Sequence, residues 1–247
     1  MWGDIAIAFM LAFITTFVLT PYTIRLASKV GAIDFPKDER RINKKPMPRL
    51  GGIAVIAGFF ISITYLLIIM SIEGTINLFA EDNYYIKLTG FALGALVLGI
   101  VCFIDDAKGV PPLVKLTAQL IAAVIAMACG VRIDYIGIDF INNLPWKETF
   151  YTILTLGWIV GITNAINLID GLDGLATGIT LIASISLLVI FSLNYSPLMS
   201  IILITALAGA LVGFLPFNFN PAKTFIGDVG SNFLGYSLAV ISILRCC

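Results

Sequence analysis

Eight long apolar stretches constrain the fold of this chain more than any other feature. Each has close to the roughly 20 residues that a helix needs to cross a hydrocarbon core about 30 Å thick. Backbone polar groups must be satisfied internally in lipid, so we expect each stretch to be helical. The pattern predicts an all-α polytopic transmembrane bundle of about eight spans, in a single integral-membrane domain over residues 1–247. The predicted spans cover residues 4–26, 50–72, 86–104, 113–130, 149–168, 175–193, 198–216 and 230–245.

Composition supports a membrane protein and excludes several other classes. Hydrophobic residues make up 59% of the 247 residues and charged residues only 12%, about half the charged share of a soluble domain. Acidic and basic residues balance at fifteen each, so net charge favours neither a nucleic-acid partner nor a peripheral protein held by charge. The chain has no histidine and therefore lacks the commonest metal ligand and proton shuttle. Any chemistry must use Asp, Asn, Lys, Arg and backbone groups.

The distribution of basic residues predicts the orientation of the chain. Lysine and arginine concentrate in cytoplasmic loops, and here most of them lie after spans one, three, five and seven. We therefore expect those loops to be cytoplasmic and the N-terminus to lie outside. The loops of that side hold Arg25, Lys29, Lys37, Arg40, Arg41, Lys44, Lys45, Arg49, Lys108, Lys115 and Lys223, against Lys87, Arg132 and Lys147 on the other side.

The same predicted cytoplasmic loops hold most of the polar residues that could do chemistry. Clustered carboxylates repel one another unless a cation joins them. Oxygen ligands without His or Cys suit Mg²⁺, with Mn²⁺ as the alternative. Basic residues in the same loops would bind an anion, so a magnesium-held phosphate or diphosphate fits both features. The candidates are Asp105, Asp106, Asn164, Asn167, Asp170, Asp173, Asn218, Lys223 and Asp228.

Local spacing refines these candidates. Asn164, Asn167, Asp170 and Asp173 recur every third residue, whereas an α-helix turns every 3.6 residues, so a straight helix would not direct all four to one place. We expect the fifth span to unwind near Leu168. Neighbouring residues on a helix point in different directions, so Asp105 and Asp106 should have different roles.

The segment around Asp228 predicts a helix N-terminus with free N–H groups that favour an anion. Simpler interpretations exist for each motif taken alone. The paired aspartates could end one helix and cap the next, Asp170 and Asp173 could belong to a glycine-rich turn, and the basic run could contact lipid headgroups. Capping and turn formation do not explain why every carboxylate-rich loop falls on one predicted side.

Four motifs in order resemble the polyprenyl-phosphate N-acetylhexosamine-1-phosphate transferase family, which includes MraY, WecA and TagO. They are RRINKKPMPRLGG, FIDDAKG, NAINLIDGLDGLATG and FNFNPAKTFIGDVGS. The PMPRLGG form is more similar to the WecA and TagO branch than to the TPTMGG form of MraY. The resemblance implies transfer of a sugar-1-phosphate, with N-acetylglucosamine favoured, from a UDP-sugar to undecaprenyl phosphate at the cell membrane. An MraY-type transferase for a muramoyl-pentapeptide donor is the alternative within the family.

The resemblance also implies roles for individual residues. Asp228, with Asp170, is assigned to magnesium, and Asp105 or Asp106 to the acceptor phosphate. Lys45, or in second place Lys44, would neutralise phosphate charge, with Lys223 a weaker candidate. The donor would contact Asn164, Asn167, Asp170, Asp173 and Asn218. Direct attack by the lipid phosphate is favoured over an aspartyl intermediate, because a phosphate monoester is already largely dianionic at neutral pH.

Family members continue for further spans and a histidine-containing HxHH loop, whereas this chain ends at ISILRCC. We therefore expect it to lack part of the donor site. An ion-coupled transporter is the alternative from another class, although transporters place their sites near the midplane and show internal repeats. The oligomeric state, including a homodimer, is open.

Overall fold

The computed structural model describes residues 2–35, 45–74, 84–138, 145–194 and 196–244. Its described part is a bundle of eight helices with a single two-stranded antiparallel sheet, β1 (Ile33–Asp34) and β2 (Met47–Pro48). The helices are α1 (Trp2–Val30), α2 (Gly51–Ile72), α3 (Tyr84–Lys108), α4 (Pro112–Ala128), α5 (Lys147–Ile169), α6 (Leu175–Leu193), α7 (Leu198–Asn218) and α8 (Gly227–Leu244).

The predicted all-α bundle is confirmed, with a helix over each predicted span. Six of the described helices, α1, α2, α3, α5, α6 and α7, are long and apolar enough to cross a membrane. Helix α4 has 17 residues and is shorter than the other apolar helices. Helix α8 begins with a polar turn that includes Asp228. The predicted external position of the N-terminus stays a prediction.

Helices α7 and α8 form the centre of the bundle. Most residues of α7 and almost every residue of α8 are buried. Helix α1 packs on α2 and α7, whereas α8 packs mainly on α3 and α5 and also contacts α2. Aromatic side chains fill the space where α2, α3 and α8 meet: the rings of Phe59 and Phe233 lie 5.5 Å apart, and those of Phe91 and Tyr236 stack at the same distance.

Small residues allow α2 and α8 to approach closely at one end. A Cβ atom added to Gly52 would lie 2.2 Å from the Cα of Gly230, so only glycine fits this crossing. Helix packing in membranes depends on such small residues because lipid provides little hydrophobic drive for association. The crossing fixes the first turn of α8 beside the start of α2.

Backbone pairing holds the same end together. The N–H groups of Gly51 and Gly52 donate to the carbonyls of Phe225 and Ile226 at 3.1 and 2.8 Å, and Phe225 N–H donates to Pro48 O at 2.8 Å. The segment before α8 is therefore tied to β2 and to the start of α2. We call this end, where α3 and α5 end and α2, α4 and α8 begin, the polar end of the bundle.

Candidate active site

Asp228, in the first turn of the central helix α8, lies at the middle of the polar end. Its carboxylate accepts hydrogen bonds from Asn167 Nδ2 at 2.6 Å and from Arg49 Nη2 at 3.2 Å. Lys115 Nζ lies 3.5 Å from Asp228 Oδ1, the oxygen that also accepts the bond from Asn167. Side chains from three other segments therefore meet at the Asp228 carboxylate. Asp228 is 15% exposed, so it is accessible from the end of the bundle.

Asp105 and Asp106 have different environments, as their adjacent positions on α3 predict. Lys115 Nζ lies 2.8 Å from Asp105 Oδ2, and Val110 N–H donates to Asp105 Oδ1 at 2.7 Å. Asp105 therefore joins the end of α3 to the start of α4. Its carboxylate also brings Lys115 to the position from which it reaches Asp228.

Asp106 binds the N-terminus of α8. Its two carboxylate oxygens accept the N–H groups of Asp228 at 3.0 Å and Val229 at 2.9 Å, and the side chain is fully buried. The prediction of free N–H groups that favour an anion at the α8 N-terminus is therefore wrong in one respect: these two groups are not free, because they bind the Asp106 carboxylate. A carboxylate from α3 takes the position that a ligand anion would take, because a helix N-terminus stabilises negative charge from any source.

Gly227 makes this arrangement possible. Its φ is +73°, and a Cβ there would lie 1.8 Å from the carbonyl oxygen of Arg49 and 2.7 Å from Asp106 Oδ2. A left-handed backbone and close approach on two sides both require glycine. The backbone of Arg49 thus lies directly against the turn that presents Asp228, and the Arg49 side chain reaches Asp228 and, at 3.5 Å through Nε, Asp106.

The polar residues of the NAINLIDGLDGLATG motif lie in different environments. Helix α5 continues through Ile169, so Asn167 is still helical and the predicted unwinding near Leu168 begins one to two residues later, at Asp170. Asn167 also donates to Ser231 Oγ at 2.9 Å. Asn164 lies one turn further into the bundle, where its Nδ2 donates to Gln119 Oε1 at 2.6 Å.

The Asp170 side chain lies close enough to the Asp228 carboxylate to interact with it electrostatically, but it makes no hydrogen bond or ion pair with another residue in the described ranges. Burial, together with the nearby carboxylates of Asp228 and Asp106, raises the pKa of Asp170 to about 7. The Arg49 guanidinium opposes this rise. Arg49 therefore compensates the charge of this half-buried carboxylate only in part.

Asp173 and Asn218 bind the segment before α8 and not Asp228. Asp173 Oδ2 accepts bonds from Asn220 Nδ2 and Ala222 N–H, both at 3.1 Å. Asn218 is buried; its Oδ1 accepts the Thr177 hydroxyl at 2.7 Å and its Nδ2 donates to Thr224 O at 3.0 Å. Both residues therefore shape the loop, and their predicted donor contacts stay predictions.

The two lysines predicted to neutralise phosphate lie outside this cluster. Lys45 is exposed and has no hydrogen bond or ion pair with the described residues. Lys223 Nζ lies 5.8 Å from the centre of the Phe217 ring. Lys44, together with most of the basic run before Arg49, lies outside the described residues. In the described part of the chain, the basic side chains that lie on these carboxylates are Arg49 and Lys115, and the predicted phosphate contacts of Lys45 and Lys223 stay predictions.

Sequence reasoning did not select Arg49, Lys115, Gln119 or Asn232 as site residues. In the sequence, Arg49 and Lys115 contribute to the orientation signal, whereas Gln119 and Asn232 lie inside predicted spans. A signal was present, because polar residues within a membrane span are costly and usually have partners. Lys115 and Gln119 are four residues apart, which places them on one face of α4.

The donor set fits a magnesium ion. Four carboxylates, those of Asp105, Asp106, Asp170 and Asp228, face two basic side chains, so the fully ionised cluster has two negative charges in excess. No three acidic or cysteine side chains of the described ranges are spaced to form a ready metal cage. Mg²⁺ does not need one, because it keeps several waters and binds through one or two carboxylates and substrate phosphates. Asp228 and Asp170 are the residues that would hold it.

An apolar groove runs along the bundle between α2 and α3 and ends beside this cluster. Its volume is about 850 Å³. Val229, whose N–H donates to Asp106, lines the groove near the polar end, and Tyr85 lines it near the other. Leu96 and Ile100 line it and are more than half exposed, so the groove opens at the surface of the bundle.

Comparison with known proteins places the chain in a family. A family model described as glycosyl transferase family 4 matches residues 88–245, which include most of α3 and all of α4 to α8, and therefore Asp105, Asn167 and Asp228. The chain belongs to glycosyl transferase family 4. The family resemblance seen in the four motifs is thereby confirmed.

Individual relatives cover nearly the whole of this family 4 chain. It is 35% identical over 243 residues to a probable undecaprenyl-phosphate N-acetylglucosaminyl 1-phosphate transferase of Bacillus subtilis, an alignment that covers 97% of the chain and 63% of the relative. It is 34% identical over 256 residues to a decaprenyl-phosphate N-acetylglucosaminephosphotransferase of Mycobacterium tuberculosis, covering 97% and 60%.

A phospho-N-acetylmuramoyl-pentapeptide-transferase of Streptococcus agalactiae is 33% identical over 249 residues, covering 95% of the chain and 71% of the relative. The chain thus spans less than two thirds of the length of the first two relatives and about 70% of the third. Both branches of the family are represented among its relatives.

Proposed function

We propose that this family 4 protein transfers a sugar-1-phosphate, with N-acetylglucosamine-1-phosphate favoured, from a UDP-sugar to undecaprenyl phosphate. The products are a lipid-diphosphate sugar and UMP, at the start of cell-wall or surface-polysaccharide synthesis. The observation that carries the proposal is the position of the Asp228 cluster beside one end of an apolar groove, next to Val229. A charged pocket and an apolar channel side by side suit a reaction between a water-soluble diphosphate and a lipid phosphate.

In this proposal the acceptor phosphate oxygen attacks the sugar-bearing phosphorus of the donor. A new phosphorus–oxygen bond forms, the bond between that phosphorus and the bridging oxygen breaks, and UMP leaves with the bridging oxygen. Arg49 and Lys115 supply positive charge at the reacting phosphates, and Asn167 orients Asp228. Bound magnesium would supply further charge neutralisation. Positioning and charge neutralisation account for most of phosphoryl-transfer catalysis.

The geometry supports direct attack over an aspartyl intermediate. Both oxygens of Asp106 are bound to backbone N–H groups, and the two oxygens of Asp105 are bound to Val110 N–H and Lys115. Neither carboxylate presents an unengaged oxygen as a nucleophile. The acceptor phosphate is itself largely dianionic at neutral pH and needs no strong base.

We further propose that the polar end lies at the cytoplasmic face of the cell membrane. The excess of Lys and Arg in the loops of this end supports that orientation. A cytoplasmic site also suits a soluble nucleotide-sugar donor. Labelling of cysteines introduced at Lys108 and at Glu73, which lie at opposite ends of the bundle, would test the orientation in intact cells.

The direct test of function supplies the purified protein with undecaprenyl phosphate, Mg²⁺ and UDP-N-acetylglucosamine, and measures UMP. We expect UMP formation to fall at least a hundredfold in Asp228→Asn. Glu73→Gln, which removes one carboxylate at the opposite end of the bundle, is the matched control and should keep parent activity. A parallel reaction with UDP-N-acetylmuramoyl-pentapeptide separates the two branches of the family. Absence of UMP with either donor would contradict the proposal, and ion flux in liposomes without UMP would favour the transporter.

A further inference from the structure

A second layer of polar side chains lies one helical turn inside the bundle from the Asp228 cluster. Gln119 Nε2 donates to Asn232 Oδ1 at 2.8 Å, and Asn164 Nδ2 donates to Gln119 Oε1 at 2.6 Å. Gln119 and Asn232 are buried. These three side chains come from α4, α5 and α8, and we call them the amide triad.

The amide triad comes from the same three helices that supply Lys115, Asn167 and Asp228. Lys115 and Gln119 are four residues apart on α4, Asn167 and Asn164 three apart on α5, and Asp228 and Asn232 four apart on α8. Such spacings place each pair on one helix face. Gln119 and Asn164 therefore each lie one helical turn from a residue that contacts Asp228, and Asn232 lies one turn from Asp228 itself.

The triad is also joined to the site through the backbone. Asn232 Nδ2 donates to the carbonyl oxygen of Asp228 at 2.9 Å. Asn164 Nδ2 donates to Val160 O at 2.9 Å, so each of the three amide groups has a partner for its NH₂. A continuous chain of amide hydrogen bonds through the buried Gln119 and Asn232 favours one arrangement, because a displacement leaves a polar group unpaired in an apolar environment.

We infer that the amide triad is a positioning device that holds α4, α5 and α8 in the register at which Lys115 and Asn167 reach Asp228. A slide of one residue along a helix moves its side chains by about 1.5 Å. A shift of that size would break the 2.6 Å contact between Asn167 and Asp228. Gln119 acts through these neighbours and does not contact Asp228 itself.

The kinetic part of the test rests on the proposed function. Gln119→Met keeps the length of the side chain and removes its hydrogen bonds, and Asn232→Leu does the same from α8. We expect each variant to lower kcat for UMP formation about tenfold or more, since misplacement by about 1 Å is costly to catalysis, with donor KM changed less than about threefold. The double variant should be no worse than the poorer single variant, because both remove one shared network. Thr117→Val, an exposed position on α4, is the control.

The second part needs no enzymatic activity. Hydrogen–deuterium exchange of the purified protein should show faster exchange of the Asp228 and Val229 amides in Gln119→Met, with unchanged exchange where α1 contacts α7. A chain that forms no UMP but shows this selective change would overturn the proposed function and keep the positioning role. Unchanged exchange at Asp228 and Val229, or kinetic losses that multiply in the double variant, would overturn the positioning role.

Discussion

The Asp106 carboxylate and the Val229 N–H, separated by 123 residues in sequence, lie 2.9 Å apart. Through this bond and the bond to the Asp228 N–H, helix α3 caps helix α8 with a buried charge. The capped turn is the one that presents Asp228 to Arg49, Lys115 and Asn167. Capping by Asp106 therefore sets the position of the whole cluster.

Replacement of Asp106 by Ala should destabilise the first turn of α8. Loss of an N-cap costs about 1–2 kcal/mol, and two buried N–H groups would be left unpaired. We expect a lower thermal unfolding midpoint and at least a hundredfold loss of UMP formation. The matched control is Asp4→Ala, in the first turn of α1. Parent stability with lost activity would indicate a direct chemical role for Asp106 and contradict the capping role.

Gly227→Ala tests the backbone requirement at the same turn. An alanine Cβ would overlap the Arg49 carbonyl oxygen. The φ of +73° at this position is also unfavourable for any residue with a side chain. Little folded protein should be recovered, as judged by size-exclusion chromatography in detergent. Gly178→Ala, at a helical glycine of α6 with open space around it, should leave folding intact. Normal folding and activity of Gly227→Ala would show that the turn is placed differently.

Arg49→Lys tests the geometry of the basic group. Arginine contacts Asp228 and Asp106 through separate nitrogens, whereas lysine is a single point charge. We expect kcat/KM for UMP formation to fall about tenfold or more even though the charge is kept. Arg25→Lys on α1, where the guanidinium lies over Tyr22, should have no comparable effect. If Arg49→Lys and Arg25→Lys had the same kcat/KM, Arg49 would contribute only its positive charge.

The raised pKa of Asp170 predicts how stability depends on pH in the absence of divalent cations. Asp170 loses its proton near pH 7 in the folded protein and near its ordinary value of 3.8 in the unfolded chain. The unfolded state therefore binds fewer protons between these values, so this group lowers the free energy of unfolding as pH rises from about 4 to 7.

Thermal unfolding measured in EDTA at several pH values would check this dependence, with Asp170→Asn as the comparison. The variant should show a smaller decline between pH 5 and 7 than the parent. Added Mg²⁺ should stabilise the parent more at pH 8 than at pH 6, because the cation competes with the proton at this carboxylate. Equal pH dependence of parent and variant would contradict the raised pKa.

The sequence predicted the helices because a span of lipid requires about 20 apolar residues whatever the neighbouring helices are. It predicted less about individual contacts. The spacing of Asn164, Asn167, Asp170 and Asp173 showed that they could not all face one point, but not that Asp173 would bind the segment before α8. Contacts such as Asp106 with Val229 depend on which helices become neighbours, and local patterning does not encode that.

The basic partners of Asp228 could not be identified from the sequence for a similar reason. Lys45 stands in the motif that suggested a phosphate contact, and that contact stays a prediction. Among the described residues of that loop, Arg49, four residues later, is the basic one that reaches Asp228. Its position follows from the backbone bonds between the start of α2 and the segment before α8. Buried polar residues within predicted spans, such as Gln119, were the sequence signal that pointed to additional partners.

Filling the apolar groove tests whether it holds the lipid acceptor. Gly99 lines the groove on α3, and a Cβ added there meets no other atom within 4 Å. Gly99→Leu should therefore fold normally and raise the KM for undecaprenyl phosphate several-fold, while the KM for the UDP-sugar changes little, because the new side chain occupies apolar space and leaves the charged cluster intact. Gly161→Leu, at an equally open glycine on α5 outside the groove, is the matched control. Equal lipid KM values in the two variants would show that the acceptor tail lies elsewhere on the bundle.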